Sequence, residues 1–390
     1  MKEHKYQWLI SGLVILVAIA IGTAIYNTQS PQSTSSNVSS ATIKSRYQTW
    51  KKDYLRGSSK QKYVKTNTGR KAQTLSEAQG YGMLITVMAA KQGFGDQKSF
   101  DQLTRYYLAH RISSDNPLMS WRQNQKNGEM VSTKAEQTSA TDGDLDIAYS
   151  LILADEKWGS KGDLKYNQLA SDLLEAIKEH EINPTTNLPR VGNWATASQS
   201  ANLVRTSDLM TAYFRKFASY TKDGSWTKIA QSSQNALKKL SDQHKTGLMA
   251  DFVTIKGNQL QLGTVKPNQV ASQYDAQYGF NACRIPWRVA YDYQLNHSQV
   301  SKRIAQKMNK FFASKKKITA VYTLDGKAVE NYTNIAFTAP VAYSAEVLSN
   351  QNLKHNYTKD LTAEIPKDNY YPATIQMLML LTSGSIGQSK

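Results

Sequence analysis

Carboxyl groups set among glycines and other small residues are the side chains of this sequence best suited to chemistry. Glu77 lies in the segment SEAQGYGM, which leads into the apolar run LITVMAA. Thr74 and Glu77, three residues apart, match the capping box of a helix N-terminus, which would explain both residues without catalysis. Gly80 and Gly82 fit that interpretation poorly, because each costs a helix about 1 kcal/mol relative to Ala. Glycines there predict the close approach of a ligand or another backbone.

Three more carboxylates, Asp142, Asp144 and Asp146, lie within five residues, directly before a strongly apolar stretch. Thr141 could cap a helix that begins here, and the helix dipole favours negative charge in a first turn. Capping does not explain three like charges that repel one another. The cluster therefore predicts a polar site at the start of a helix.

A third segment, residues 274–288, places Asp275, Asn281, Arg284 and Arg288 among four aromatic side chains. One interpretation is a surface turn with Arg–Asp pairs. The other is a sugar site, because sugar rings pack on Tyr and Trp while their hydroxyls bind Asp, Asn and Arg.

The sequence lacks the residues that define several other kinds of active site. The sequence contains no GxxxxGKS/T, GxGxxG, GxSxG or HExxH motif, and its six histidines are scattered without ligand spacing. Its single cysteine, Cys283, excludes a disulfide framework and a cysteine-based metal site. We therefore expect no metal and no other cofactor.

Apolar residues recur at three- and four-residue spacings from Thr42 onward, which predicts that most of the chain is helical. Helices must therefore position these side chains. With 40% hydrophobic residues, the chain can bury a large core. No second polar linker interrupts the sequence after Thr42, which favours a single α-helical domain over residues 42–390.

The N-terminus predicts the compartment. Residues 8–26, WLISGLVILVAIAIGTAIY, are uncharged and long enough to cross the roughly 30 Å hydrocarbon core of a bilayer. Lys2 and Lys5 precede the run and the next basic residue is Lys44, so the body is expected outside the membrane. We expect an uncleaved anchor at 1–26 and a polar tether at 27–41, with a cleaved signal peptide and secretion as the alternative.

The net charge is +18, from 48 Lys+Arg against 30 Asp+Glu. On an exported protein this charge fits an anionic cell envelope, and it argues mildly against a polycationic substrate. We expect a membrane-anchored monomer without a nucleic-acid partner.

The three segments together resemble glycoside hydrolase family 8, a group of endo-acting β-glycanases. SEAQGYGM is similar to the segment that carries the family's acid, and residues 140–158, ATDGDLDIAYSLILADEKW, are similar to its signature. Shorter similarities follow in order at residues 118–121, 192–194, 206–208, 247–252, 280–288 and 370–372. The resemblance covers nearly all of residues 42–390 and implies an all-α fold, an (α/α)6 barrel with a sugar cleft across one end.

The resemblance also implies an inverting mechanism, in which one carboxylic acid protonates the glycosidic oxygen and one carboxylate activates water. Glu77 would be the acid, and Asp142 would bind and distort the sugar at the cleavage point. The candidate sugar-binding residues are Trp121, Trp194, Asp208, Asp251, Tyr278, Asn281, Arg284 and Tyr371.

The catalytic base is where this sequence departs from the family pattern. Some members carry an Asp directly before Ala-Cys-Arg, where this chain has Asn281, which cannot accept a proton. Other members with Asn there use a Glu about ten residues upstream, and residues 270–275 contain none. We assign the nearest carboxylate, Asp275, as the base, with Asp251 and Asp208 as alternates. Water held by Asn281 and a tyrosine is an indirect route.

These expectations describe an endo-acting hydrolase of a β-1,4-linked polysaccharide substrate outside the membrane. Cellulose-type or mixed-linkage glucan is favoured, with xylan and chitosan left open. The departure at the base keeps one alternative, a non-catalytic glycan-binding cell-surface protein on the same scaffold. A more remote interpretation is an envelope protein whose positive charge recruits an anionic polymer.

Overall fold

The computed structural model describes residues 38–386, and within them twelve α-helices follow one another along the chain. They are α1 (Ser40–Tyr54), α2 (Ser76–Lys91), α3 (Gln97–Ala109), α4 (Thr141–Trp158), α5 (Tyr166–His180), α6 (Thr211–Thr221), α7 (Gly224–Gln243), α8 (Ile285–Asn296), α9 (Gln299–Ala313), α10 (Ile335–Val347), α11 (Gln351–Thr362) and α12 (Tyr370–Gly384).

The even-numbered helices form a closed inner ring, in which each packs against the next and α12 returns to α2. The odd-numbered helices form an outer layer. Helices α3, α5, α7, α9 and α11 each pack on the inner helix that precedes them, and α1 packs on α12. This double ring agrees with the (α/α)6 barrel that the resemblance implies.

The distribution of apolar residues explains which helices lie inside. Every residue from Ala78 to Ala90 in α2, and from Ala336 to Glu346 in α10, is buried. The outer helix α9 buries a single face that includes Ile304, Met308 and Phe312. A helix that is buried all round belongs in the core, whereas an amphipathic helix covers it.

Short antiparallel strands occupy the connections between helices. They are β1 (Leu55–Gly57) with β2 (Lys62–Val64), β3 (Gln73–Leu75) with β4 (Arg122–Lys126) and β5 (Glu129–Val131), β6 (Ile182–Asn183) with β7 (Leu188–Pro189), and β8 (Leu203–Arg205) with β9 (Phe252–Lys256) and β10 (Gln261–Gly263). Leu75 pairs with Arg122 and Arg205 pairs with Phe252. Because β3 runs directly into α2, and β8 leads through one turn into α6, the strands fix where inner helices begin.

Helices α2 and α4 meet at glycines. A Cβ atom on Gly143 would lie 2.6 Å from the Ser76 carbonyl carbon, and one on Gly80 would lie 2.9 Å from the Gly143 oxygen. Another backbone does approach Gly80, as its presence in a helix predicts.

The capping interpretation of these two helices is wrong. Thr74 lies in β3, and α2 begins at Ser76 without a side-chain cap. Thr141 is the first residue of α4 and does not cap it either. The acidic residues of both first turns are therefore available for other contacts.

The predicted anchor, residues 1–26, and most of the predicted tether lie outside the described residues. Between residues 38 and 386, no helix is long and apolar enough to cross a membrane. The last two residues assigned to the tether belong to α1, which Ser39 caps. The folded body therefore begins slightly before residue 42, because α1 buries Ile43, Tyr47 and Trp50.

Candidate active site

Glu77 lies in the first turn of α2 with 18% of its side chain exposed. The Tyr370 hydroxyl donates to its Oε1 at 3.1 Å, and Arg284 Nη1 donates to its Oε2 at 3.2 Å. Burial raises the pKa of Glu77 to about 7, although Arg284 opposes this increase. A carboxyl group that keeps its proton near neutral pH and still reaches a cleft can act as a general acid.

Asp142 lies in the first turn of α4 and is buried. Arg205 Nη1 lies 2.9 Å from its Oδ1, and Arg284 Nη1 lies 3.1 Å from its Oδ2. Burial alone would raise its pKa, but the two guanidinium groups outweigh burial and hold the pKa of Asp142 below its usual value. A carboxyl group with a lowered pKa and one with a raised pKa therefore share Arg284.

Arg284 joins these two carboxyl groups. Its Nη1 also donates to the Tyr81 hydroxyl at 2.8 Å, and its Nη2 donates to Asn281 Oδ1 at 2.9 Å. The Arg284 side chain has no exposed surface. The interpretation of this segment as a surface turn is therefore wrong, because Arg284 pairs with Glu77 and Asp142 inside the barrel.

Arg205 is a functional residue that sequence reasoning missed. It ends β8, and its Nη1 contacts Asp208 Oδ2 at 3.1 Å as well as Asp142. Asp208 has no exposed surface, and its burial raises its pKa to about 6 despite Arg205. The only sequence signal was that Arg205 directly precedes residues 206–208, one of the short segments that resemble family 8.

The other two carboxylates of the cluster at the start of α4 make their contacts inside the barrel. Asp146 Oδ2 lies 3.1 Å from Arg288 Nη2, and both groups are buried. Asp144 accepts the Met119 N–H at 2.9 Å, and burial beside Glu181 raises its pKa. Of the three clustered carboxylates, Asp142 thus faces the site, while the others hold the helices that form it.

Asp275, assigned as the base, has its carboxylate bonded to its own loop. Its oxygens accept N–H groups from Val270 at 2.6 Å, Ala271 at 3.1 Å and Ser272 at 2.8 Å, and the side chain is buried. A buried carboxylate with its lone pairs engaged is poorly placed to take a proton from water. The geometry therefore indicates a structural role for Asp275.

Asp251, an alternate base and candidate sugar ligand, holds the segment that carries Asn281. Its Oδ1 accepts N–H groups from Gly279 and Asn281 at 3.0 Å and from Ala282 at 2.7 Å. Burial raises the pKa of Asp251 to about 7. Its contacts position Asn281 and leave no exposed carboxylate oxygen for a sugar.

A cleft of about 460 Å³ opens beside Glu77. Its lining is Glu77, Phe280, Asn281, Tyr332, Asn334, Asn369, Tyr371 and Pro372. Tyr332 is 45% exposed, and the Tyr371 hydroxyl donates to the Phe280 carbonyl oxygen at 2.5 Å. Sequence reasoning found Asn281 and Tyr371 but missed Tyr332, Asn334 and Asn369, which belong to no motif.

The aromatic candidates divide between surface and core. Trp194 is 47% exposed, and its neighbour Asn193 accepts the Ser139 N–H through Oδ1, two residues before α4 begins. The Trp121 carbonyl accepts the Ser76 N–H at 3.0 Å, so Trp121 adjoins the start of α2. Both tryptophans therefore remain candidates for sugar stacking.

Tyr278 requires a correction. It has no exposed surface and packs against Phe312, Tyr322 and Phe337, with ring centroids 5.8–6.5 Å apart. A sugar cannot stack on a ring that the core covers on all sides. Tyr278 therefore supports the fold. The prediction that it binds sugar rested on its position among polar and aromatic residues, and that prediction is wrong.

Two carboxyl groups with opposite pKa shifts, beside a cleft lined by aromatic rings and amides, are the features of a glycosidase. Residues 23–385 match the family model described as "Glycosyl hydrolases family 8". The chain therefore belongs to glycoside hydrolase family 8.

Individual relatives agree with this membership. A "Beta-glucanase" of Niallia circulans is 33% identical over 369 residues, which cover 91% of this chain and 87% of that protein. "Endoglucanase A" of Acetivibrio thermocellus is 30% identical over 363 residues, 90% of this chain and 70% of that protein.

Solved structures share the architecture. The apo structure of a beta-1,3-1,4-glucanase from Paenibacillus sp. X4 matches with a TM-score of 0.81 and 30% identity, covering 90% of this chain and 94% of that one. A cold-adapted family 8 xylanase has the same fold, with a TM-score of 0.75, 21% identity and coverage of 90% and 91%.

Proposed function

We propose that this protein is an endo-acting hydrolase of β-1,4-linked glucan that inverts the anomeric configuration. The observation that carries the proposal is the pair of carboxyl groups that Arg284 bridges, in which burial raises the pKa of Glu77 and the two arginines lower the pKa of Asp142. Glu77 gives its proton to the glycosidic oxygen as the bond to the anomeric carbon breaks.

Asp142 acts on the sugar whose bond is cleaved. As the glycosidic bond breaks, positive charge develops on the ring, and a fixed negative charge stabilises this state more than the ground state. Because Arg205 and Arg284 keep Asp142 ionised, that charge is present before the substrate binds.

The cleft lining favours a neutral glucan. Glu77 is the single carboxyl group among the lining residues that the structure describes, and the others are aromatic, amide or proline side chains. A polymer of glucosamine would need several carboxylates to offset its charge. The names of the relatives, a β-glucanase and an endoglucanase, support the same substrate class.

The proposal includes a location outside the membrane, with the chain anchored by residues 8–26. The support is the uncharged run of these residues and the lysines that precede it. The monomeric state is part of the same proposal.

The decisive experiment compares the native chain with Glu77→Gln and with Glu175→Gln, which changes an exposed glutamate on α5. Release of new reducing ends is measured on carboxymethyl-cellulose, lichenan and chitosan. We expect Glu77→Gln to lose roughly 10²-fold or more, because amide cannot supply the proton. Glu175→Gln should match the native chain, and lichenan or cellulose should exceed chitosan.

A loss below tenfold in Glu77→Gln would remove Glu77 from the acid role. If the native chain releases no reducing ends from any of these polymers but binds them, the protein is a glycan-binding member of its family. The anomeric form of the first product, followed by NMR, tests inversion separately.

A further inference from the structure

The proposed reaction needs a second carboxylate, which activates water on the face of the sugar opposite the acid. The other aspartates that the sequence singles out are buried and already bonded: Asp142, Asp144, Asp146, Asp208, Asp251 and Asp275. A base must instead reach solvent in the cleft, since its proton comes from a water molecule.

Glu330 is a partly exposed carboxylate close in sequence to two residues that line the cleft. It is half-buried on the segment between α9 and α10, two residues before Tyr332 and four before Asn334, which both line the cleft beside Glu77. The Tyr274 hydroxyl donates to Glu330 Oε1 at 2.5 Å. Tyr274 is its single hydrogen-bond partner among residues 38–386.

The backbone around Glu330 is fixed against the segment that carries Asn281. Tyr322 and Tyr278 exchange two backbone hydrogen bonds of 3.0 and 2.9 Å, and the Val329 N–H donates to the Val321 oxygen at 3.0 Å. Glu330 is thus held beside residues 274–281, although it is distant from them in sequence.

We propose that Glu330 is the general base of this enzyme and that Tyr274 positions it. This inference rests on the proposed hydrolysis. Glu330 takes a proton from water as the water oxygen bonds to the anomeric carbon. The bond from that carbon to the glycosidic oxygen breaks, its electron pair stays on the oxygen, and Glu77 protonates that oxygen.

Asp368 is the main rival, because it is exposed and precedes the cleft residue Asn369. It lies in a groove with Asp53 and Tyr370, and Tyr370 is the residue that bonds Glu77. Asp368 is therefore associated with the acid, whereas an inverting base acts from the opposite face. Glu330 lies on the segment before α10. In the inner ring, α12 lies between α10 and α2, the helix that carries Glu77.

The test uses the full chain with Glu330→Gln, Glu330→Ala, Asp368→Asn and the control Glu175→Gln, assayed on lichenan. We expect Glu330→Gln to lower kcat by roughly 10²–10⁴-fold with little change in KM, because the amide keeps its shape but accepts no proton. Asp368→Asn and Glu175→Gln should stay within about threefold of native, since neither lies in the proposed proton path. Circular dichroism checks that each variant is folded.

A rescue experiment separates catalysis from structure. Azide added to Glu330→Ala should restore part of the turnover and form an α-glycosyl azide, because the anion attacks from the face that Glu330 controls. Azide should not restore Glu77→Gln, which still lacks the proton. Tyr274→Phe should lower kcat more than it changes KM, as expected for a positioning residue.

The outcomes distinguish this proposal from the proposed function. If the native chain hydrolyses glucan and folded Glu330→Gln keeps more than a tenth of its kcat, the base proposal is overturned and the hydrolase stands. Loss in Asp368→Asn instead would move the role to Asp368. If the native chain cleaves no glucan, the proposed function itself fails.

Discussion

At the scale of single residues, Glu77 and Asp142 differ in protonation because their neighbours differ. Both accept a hydrogen bond from Arg284, but Asp142 has a second guanidinium at 2.9 Å, whereas Glu77 has a tyrosine hydroxyl at 3.1 Å. The second guanidinium outweighs burial at Asp142, whereas at Glu77, which has a single guanidinium contact, burial prevails and raises the pKa. The proposed division of roles between acid and stabilising anion thus follows from the placement of Arg205.

The pKa of Glu77 predicts the alkaline side of the pH profile. Activity needs the protonated form, so kcat/KM on lichenan should fall as pH rises through about 7. Tyr370→Phe removes a hydrogen bond that lowers the pKa of Glu77, so the fall should move to higher pH. Tyr293→Phe, on a half-buried tyrosine of α8 whose ring contacts are to His297 and Lys302, should leave the profile unchanged. A shift of Tyr370→Phe to lower pH would contradict this account.

Asp142 also neutralises two buried arginines. Asp142→Asn would leave Arg205 and Arg284 short of a counter-charge, which in buried ion pairs costs about 3–5 kcal/mol of unfolding free energy. We expect a lower denaturation midpoint together with a loss of kcat. The exposed Asp172→Asn, on α5, should change stability by about 0.5 kcal/mol or less. Native-like stability and turnover in Asp142→Asn would show that the Asp142 charge is needed for neither folding nor catalysis.

At the scale of elements, the site is built from the N-terminal ends of the inner helices and the segments directly before them. Each of the six inner helices contributes: Glu77 (α2), Asp142 (α4), Asp208 (before α6), Arg284 (before α8), Asn334 (before α10) and Tyr370 (α12). Helix N-termini carry partial positive charge, which favours carboxylates in first turns. A ring of such helices therefore collects acidic side chains at one end.

The glycine contact between α2 and α4 sets the position of Glu77. In Gly143→Ala the new Cβ would lie 2.6 Å from Ser76 and 2.8 Å from the Glu77 nitrogen, so the helices must separate. We expect a stability loss of about 1–3 kcal/mol and at least a tenfold loss of kcat, because the acid moves.

Gly162→Ala is the matched control for this prediction. No atom lies within 4 Å of the Cβ that this substitution would add. Thermal denaturation and turnover of the two variants are compared side by side. Equal behaviour of both variants would show that the α2–α4 contact tolerates a methyl group and does not position the acid.

At the scale of the whole molecule, α1 is the outer helix that covers α12, and it completes the outer layer from the other end of the folded chain. Trp50 is fully buried, and its indole N–H donates to Thr374 Oγ1 at 3.0 Å. The structured body therefore depends on residues close to the predicted tether.

Two truncations test this boundary and the proposed anchor. Deleting residues 1–35 keeps α1 and its cap, so we expect a folded, active protein that moves from the membrane fraction to the supernatant. Deleting residues 1–54 removes Ile43, Tyr47 and Trp50 from the core, and we expect loss of cooperative unfolding. Circular dichroism, fractionation and lichenan hydrolysis report the result. A soluble full-length chain would exclude the anchor, and a stable, active 1–54 deletion would show that α1 is dispensable.

The sequence alone determined the helical class, the starts of α2 and α4 to within a few residues, and the candidates Glu77 and Asp142. These features depend on local properties, namely apolar spacing, helix-breaking residues and acidic first turns, which act over one or two turns of chain. The close approach at Gly80 was also predictable, since a helix interior rarely tolerates glycine without a packing reason, whereas its partner Gly143 was not singled out.

Tertiary structure alone decided which carboxyl group is protonated and which is bonded. Arg284 is 207 residues from Glu77 in sequence and 142 from Asp142, yet it contacts both. Asp275 was assigned as the base because it is the nearest carboxylate, but its oxygens accept hydrogen bonds from its own loop, and Glu330 belongs to no motif. Pairing, burial and pKa depend on distances through space, which no local pattern of residues encodes.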